Sequence, residues 1–101
     1  MARVFEYTFT HYQRAITLRD GADLISMSRS TFCRHFKQST KRSYVDFLKE
    51  VRINHACRRL TESDWPVLKI CYDSGYNNMA NFSKQFRELK KMTPLQYRRR
   101  F

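Results

Sequence analysis

Two stretches of this chain repeat one pattern fifty residues apart, which limits it to folds that can be built twice over. "FCRHFKQSTKRS", residues 32 to 43, and "FSKQFRELKKMT", residues 82 to 93, each set two phenylalanines four apart among basic residues. Phe32, Arg34, Phe36, Lys37, Lys41, Ser43 and Phe47 match Phe82, Lys84, Phe86, Arg87, Lys91, Thr93 and Tyr97 at one constant offset. Residues i and i+4 share a helix face, so each phenylalanine pair predicts a helix anchored inward with its charges outward. Upstream the register changes: Leu18, Ala22 and Met27 match Val67, Cys71 and Tyr76 at an offset of forty-nine. One residue has therefore been inserted around Asn77 and Asn78, at the start of the second basic helix. Small Ala22 and Cys71 fall where two helices must cross closely.

The remaining signals place seven helices around this repeat and predict an all-α fold. A first helix over 3 to 12 puts Val4, Tyr7 and His11 on one face, with Phe5, Phe9 and Tyr12 beside it. A short helix over 18 to 25 runs into an "SMS" turn, where Ser28 is the N-cap of a basic helix over 29 to 39. Ser43 starts a long helix over 44 to 61, apolar at Phe47, Leu48, Val51, Ala56 and Leu60. Asp64 and Pro66 mark the next start, with Pro66 in the first turn, where no amide hydrogen is needed. A short helix over 66 to 73, the turn "SGYNN" and a second basic helix over 78 to 89 follow, and Pro94 opens a last helix with Tyr97 inward and "RRR" outward. Short helix, turn and exposed helix is the helix-turn-helix order, here expected over about 18–39 and 66–89 and joined by the linker helix. All of residues 1–101 belong to one homeodomain-like domain on this reading.

Charge says what the outward faces can meet. The chain has a net charge of +11 and a pI near 10.1, which implies a polyanionic partner, most economically nucleic acid. The cations gather in the two copies of the repeat. Residues 28 to 42 hold Arg29, Arg34, Lys37, Lys41 and Arg42 with no acid, and residues 84 to 101 hold seven Lys or Arg against Glu88 alone. With 42% hydrophobic residues the chain can build a core, so it is not a disordered basic tail. No apolar run approaches the ~20 residues that span a bilayer, and no signal-peptide pattern opens the chain. Three cysteines without zinc-like spacing suggest free thiols in a reducing compartment. The expected location is the cytoplasm of a bacterium, on the nucleoid.

The chemistry-bearing residues divide between base contacts and bland roles. Arg34 can fork to guanine O6 and N7, Lys84 can reach the same edge with one ammonium, and Asn78 and Asn81 can pair with adenine. Against these stand phosphate neutralisation for Arg34 and Lys84, and N-capping for Asn78. Cys33 suits a thymine methyl better than redox sensing, while Cys57 and Cys71 read as core. Cys33 with His35, and His55 with Cys57, look like metal ligands, but residues two apart on a helix point away from each other, so no metal and no cofactor is expected. Trp65 reads as packing at a helix entry. Arg98, Arg99 and Arg100 supply electrostatic affinity without specificity. An enzyme acting on nucleic acid through Cys33 would lack a base and a phosphate cradle, so no catalysis is expected. A module binding RNA or membrane by charge alone is the other alternative.

The whole arrangement resembles the AraC/XylS family of bacterial transcription regulators. The resemblance stands on "ITLRDGADLISMSRSTFCRHFK", "FLKEVRINHACRRL" and "ICYDSGYNNMANFSKQFRELKKMTPLQYR". Ile70, Gly75, Tyr76, Phe82, Phe86, Thr93, Pro94, Tyr97 and Arg98 match the family signature in spacing and type. It implies two helix-turn-helix units on a central helix, reading successive major-groove segments of double-stranded DNA, and allows RNA polymerase as a second partner. Base-reading positions then fall on Ser30, Cys33 and Arg34 in the first unit and on Asn78, Met79, Asn81 and Lys84 in the second. Backbone contacts are expected from Arg29, Thr31, Lys37, Asn77, Arg87, Arg98 and Arg99. The chain departs from the family at Lys41 and Lys91, where glycine is usual, at Arg59, usually leucine, and at Gly21, usually aliphatic. A glycine at 21 opposite Ile70 should soften the first unit by ~1 kcal/mol. Family members commonly carry an effector-binding or dimerisation domain; none is recognised in these residues, which reads as a fragment or a stand-alone regulator.

Overall fold

The computed structural model describes residues 1–101 and contains seven α-helices and no strand: α1 Ala2–His11, α2 Leu18–Leu24, α3 Arg29–Thr40, α4 Tyr44–Glu62, α5 Val67–Asp73, α6 Met79–Lys90 and α7 Pro94–Arg100. Side-chain caps fix most of the starts. Thr17, Ser28, Ser43, Asn78 and Thr93 each accept from the backbone amide three residues on, using a donor that has no partner within the helix. Pro66 is not inside the first turn of α5 as its sequence suggested; it occupies the N-cap position in extended conformation, and the helix begins at Val67. No helix is long and apolar enough to cross a membrane.

Two separate cores form, one for each helix-turn-helix unit. The first gathers Val4, Ala22, Phe32, Phe36, Tyr44, Phe47 and Leu48. The second gathers Ile53, Ala56, Cys57, Leu60, Ile70, Cys71, Tyr76, Phe82 and Phe86. Helix α4 belongs to both. At about 100° per residue, its residues 44, 47, 48 and 51 point roughly half a turn away from 53, 56, 57 and 60, so its two halves bury opposite faces. The first half covers α3 as α7 covers α6: Phe47 meets Phe36 and Tyr97 meets Phe86, each pair with ring centroids 5.6 Å apart. The second half covers the second unit as α1 covers the first. The repeat reaches even there, because Val4 and Thr8, the buried pair of α1, stand forty-nine residues before the buried Ile53 and Cys57.

Two sequence expectations change at this level. The buried stripe of α1 is Val4 and Thr8, not Val4, Tyr7 and His11; the Tyr7 and His11 rings meet each other at a tilt instead, with centroids 4.6 Å apart. A buried threonine is tolerated because its hydroxyl donates to Val4 O at 2.8 Å and so accepts from the Tyr44 hydroxyl at 2.6 Å. The second change is at Gly21, which is buried and helical. A Cβ there would lie 2.8 Å from Phe32 Cζ, so the phenylalanine ring already fills the space an aliphatic side chain would take. The first unit is not hollow at that point.

Candidate nucleic-acid interface

The two basic helices are built alike from end to end. Ser28 and Asn78 cap their starts, accepting from Thr31 N and Asn81 N, and Lys41 and Lys91 end them in the left-handed conformation with φ of 66° and 61°. The family's glycine position is thus kept in backbone conformation with lysine in its place. Phe32 with Phe36, and Phe82 with Phe86, are fully buried. At about 100° per residue, Arg34 and Lys84 lie directly opposite those pairs. Both are exposed, as are Arg29, Ser30 and Lys37 on α3 and Asn81 and Arg87 on α6. The chain's ion pairs join Arg42 to Glu50, Lys49 to Asp46, and His55 and Arg59 to Asp73, so none of these outward cations is neutralised by an acid.

Several expected contact residues are placed differently. Met79 stands one turn before Phe82, on the buried side of α6, and packs half-buried against the second core. Cys33 lies on the flank of α3, half-buried against the first core. Thr31 is also half-buried, with its hydroxyl accepting from Ser28 Oγ at 2.9 Å. Asn78 is exposed, but its Oδ1 is committed to Asn81 N at 2.9 Å. Asn77, the inserted residue, is exposed just before it.

Arg98 is the largest correction. It does not face outward with Arg99 and Arg100; its Nε donates to Leu60 O at 3.0 Å and its Nη2 to Trp65 O at 2.7 Å and Ser63 O at 3.3 Å. It closes the carbonyl end of α4 and ties that end to α7, a use for which a fixed five-donor fork is suited. The "RRR" run concealed this, since a run of one sign reads as a solvated surface.

One arrangement that sequence reasoning missed orients Asn81. The buried Tyr76 hydroxyl donates to Gln85 Oε1, and Gln85 Nε2 donates to Asn81 Oδ1 at 3.2 Å. Burial pushes the Tyr76 phenol up to about 12 against the opposing pull of Arg52, so the hydroxyl remains a donor at neutral pH. Gln85 passes that polarity to the outward face of α6. His55 turns toward Tyr12 and Asp73, whereas Cys57 lies in the second core. Burial raises the Cys57 and Cys71 thiols above their ordinary range, so neither is an activated nucleophile.

Residues 21–100 match the model of a helix-turn-helix domain family. The chain belongs to this AraC-type family. Among relatives, it is 29% identical over 99 residues to the HTH-type transcriptional regulator YdeC of Bacillus subtilis, covering 98% of this chain and 34% of that protein. The chain thus spans about a third of that relative's length. The C-terminal domain of AraT, a response regulator from Geobacillus stearothermophilus, superposes with a TM-score of 0.94 at 27% identity, covering 99% of this chain and 84% of the other. The DNA-binding domain of the global transcriptional factor AdpA, solved in complex with a target DNA, superposes with a TM-score of 0.91 at 27% identity, covering 96% and 87%. Family membership accounts for the duplicated fold, and the residues on the outward faces are this chain's own.

Proposed function

We propose that this domain binds double-stranded DNA sequence-specifically to regulate transcription, with α3 and α6 entering successive major-groove segments. The observation that carries it is the pair of matched outward helix faces, with no acid on α3 and Glu88 alone on α6, on which Arg34 and Lys84 stand opposite buried phenylalanine anchors. The solved AdpA domain with its target DNA supports the same partner. Ser30 and Arg34 read bases from α3, Asn81 and Lys84 from α6, and the flanking Cys33, Asn78 and Met79 give at most grazing contacts. Arg29, Lys37, Asn77, Arg87 and Arg99 neutralise phosphates, with Thr31 beside them. Site and setting follow: a bacterial cytoplasm, on the nucleoid, with RNA polymerase as a further partner.

Geometry adds a condition. Helix α4, at 19 residues, is about 28 Å long, while successive major-groove segments of straight B-DNA lie about 34 Å apart. Either the duplex curves toward the protein, at a cost of ~1–6 kcal/mol that two sets of contacts offset, or only one basic helix inserts fully; we favour curvature. The test is competition against random duplex at fixed salt, comparing Arg34→Ala with Arg99→Ala. Arg34→Ala should cost about 1–3 kcal/mol on the preferred site and relax one base position, while Arg99→Ala weakens every sequence alike. A common factor for specific and random DNA in both variants would mean a charge-driven binder.

A further inference from the structure

The two cores lie on opposite faces of α4, so each unit is joined to the other through that helix. A second attachment exists where the α1–α2 loop leaves the first unit. Gln13 Nε2 donates to Asp73 O at 2.8 Å and to Asp73 Oδ1 at 3.3 Å, at the end of α5 in the second unit. The Tyr12 hydroxyl meets His55 Nδ1 at 2.7 Å, and His55 Nε2 meets Asp73 Oδ2 at 2.6 Å. A carboxylate only accepts, so Nε2 carries the proton toward Asp73, and Nδ1 pairs with the Tyr12 hydroxyl. Arg52 holds the same loop from below, its Nε donating to Tyr12 O and its Nη2 to Arg14 O, both at 3.0 Å, with its guanidinium over the Tyr76 ring. The loop backbone also rests on Gly75. A Cβ there would overlap the Tyr12 carbonyl oxygen and lie 3.3 Å from Gln13 Cα.

We propose that this loop is a clasp that locks the relative orientation of the two helix-turn-helix units, and so sets which half-site spacing the domain accepts. Tyr12, Gln13, His55 and Asp73 are its positioning residues. The clasp adds a second attachment between the units to the one that α4 provides. None of the four lies on α3 or α6, so they act on DNA through orientation only. The inference rests on the reading that both basic helices engage one duplex. It adds that the angle between them is held by side chains outside the interface.

The test uses the 101-residue chain and a duplex selected with it from a random-sequence library, with one base pair then added or removed between the half-sites. Each added pair moves a half-site by about 3.4 Å and turns it by about 35°. Wild-type affinity should fall about tenfold or more, the scale of losing one good base contact. Tyr12→Phe combined with Gln13→Ala should cut that spacing penalty to about threefold or less. Affinity for the second half-site alone should stay unchanged. In the same variant, residual dipolar couplings without DNA should require separate alignment tensors for the two units, where the wild type needs one. A variant with the wild-type penalty and a single tensor overturns the clasp. Wild-type indifference to spacing overturns instead the two-helix reading, and the spacing role with it. Gln13→Ala alone, at an exposed side chain, gives the same comparison should the double variant fold poorly.

Discussion

The two helix-turn-helix units make the same tight turn with different residues. In the first, Ser26 takes a positive φ of 55°; in the second, the equivalent position is Gly75 at 99°. Serine manages the left-handed region at a cost, but 99° lies outside what a side chain tolerates readily. The difference has a tertiary origin, because the Tyr12–Gln13 backbone is packed directly on Gly75. A position that looks like turn chemistry in one unit is therefore also a seat for the other unit. The largest effect should follow from breaking that seat. Gly75→Ala combines backbone strain with overlap on backbone and Arg52, and should cost about 3 kcal/mol or more in chemical unfolding. Ser26→Ala, at the matching place in the first unit, should change stability by under ~0.5 kcal/mol. Equal losses would show that the clasp does not distinguish the two turns.

Next in size is the contrast between Leu48 and Arg98, which share one repeat position. Leu48 is buried in the first core, while Arg98 donates to the Leu60 carbonyl in the last turn of α4 and to the Ser63 and Trp65 carbonyls just past its end. The second unit needs that fork because α7 ends there, whereas α4 continues past Leu48 into the second unit. Arg98→Ala should lower stability by about 1–3 kcal/mol, the cost of leaving part-buried acceptors unmet. Arg99→Ala should leave the unfolding midpoint unchanged and reduce the salt dependence of DNA binding by about one phosphate. Reversed results would return Arg98 to the interface.

Gly21 and Ile70 make the third contrast, and the sign of its test is opposite to what the repeat suggests. Helix propensity alone would have Gly21→Ala raise the unfolding midpoint by up to ~1 kcal/mol. Phe32 Cζ and Cε2 stand 2.8 and 3.0 Å from the new Cβ, and the ring is held by Phe36 and Tyr44. Displacing a packed ring in a closed core costs ~1–3 kcal/mol, so the net should be a loss on the order of 1 kcal/mol. A raised midpoint would show that the ring can move aside.

These contrasts mark where the sequence was legible. Helix starts were, because Ser28, Ser43, Asn78 and Thr93 act through bonds three residues long. The outward faces of α3 and α6 were, because the phenylalanine pairs fix which side of each helix is hidden. Ile53 and His55 were missed because α4 changes its buried face midway, so no single periodic stripe describes it. Arg98, Gly21 and the Tyr12–Gln13 clasp were misread or unseen for one shared reason. Their partners lie from 11 residues away (Phe32 from Gly21) to 60 (Asp73 from Gln13), and a local pattern carries no record of them.

The smallest expected effect tests the feature the two units share. Lys41 and Lys91 both adopt the left-handed conformation, each with its amide donating back four residues, to Lys37 O and Arg87 O at 2.8 and 2.9 Å. That conformation costs a residue with a Cβ roughly 1–2 kcal/mol relative to glycine. Glycine loses about 0.5–1 kcal/mol more backbone freedom on folding, which offsets part of the relief. Lys41→Gly and Lys91→Gly should therefore each stabilise by ~0.5 kcal/mol, near 2–4 °C in Tm for a domain of this size. Both caps have the same geometry and exposed side chains, so the two gains should be equal within error. A gain in one unit alone would mean that its last turn is strained by its surroundings rather than by the left-handed residue. That outcome would extend the asymmetry of the turns to the ends of α3 and α6.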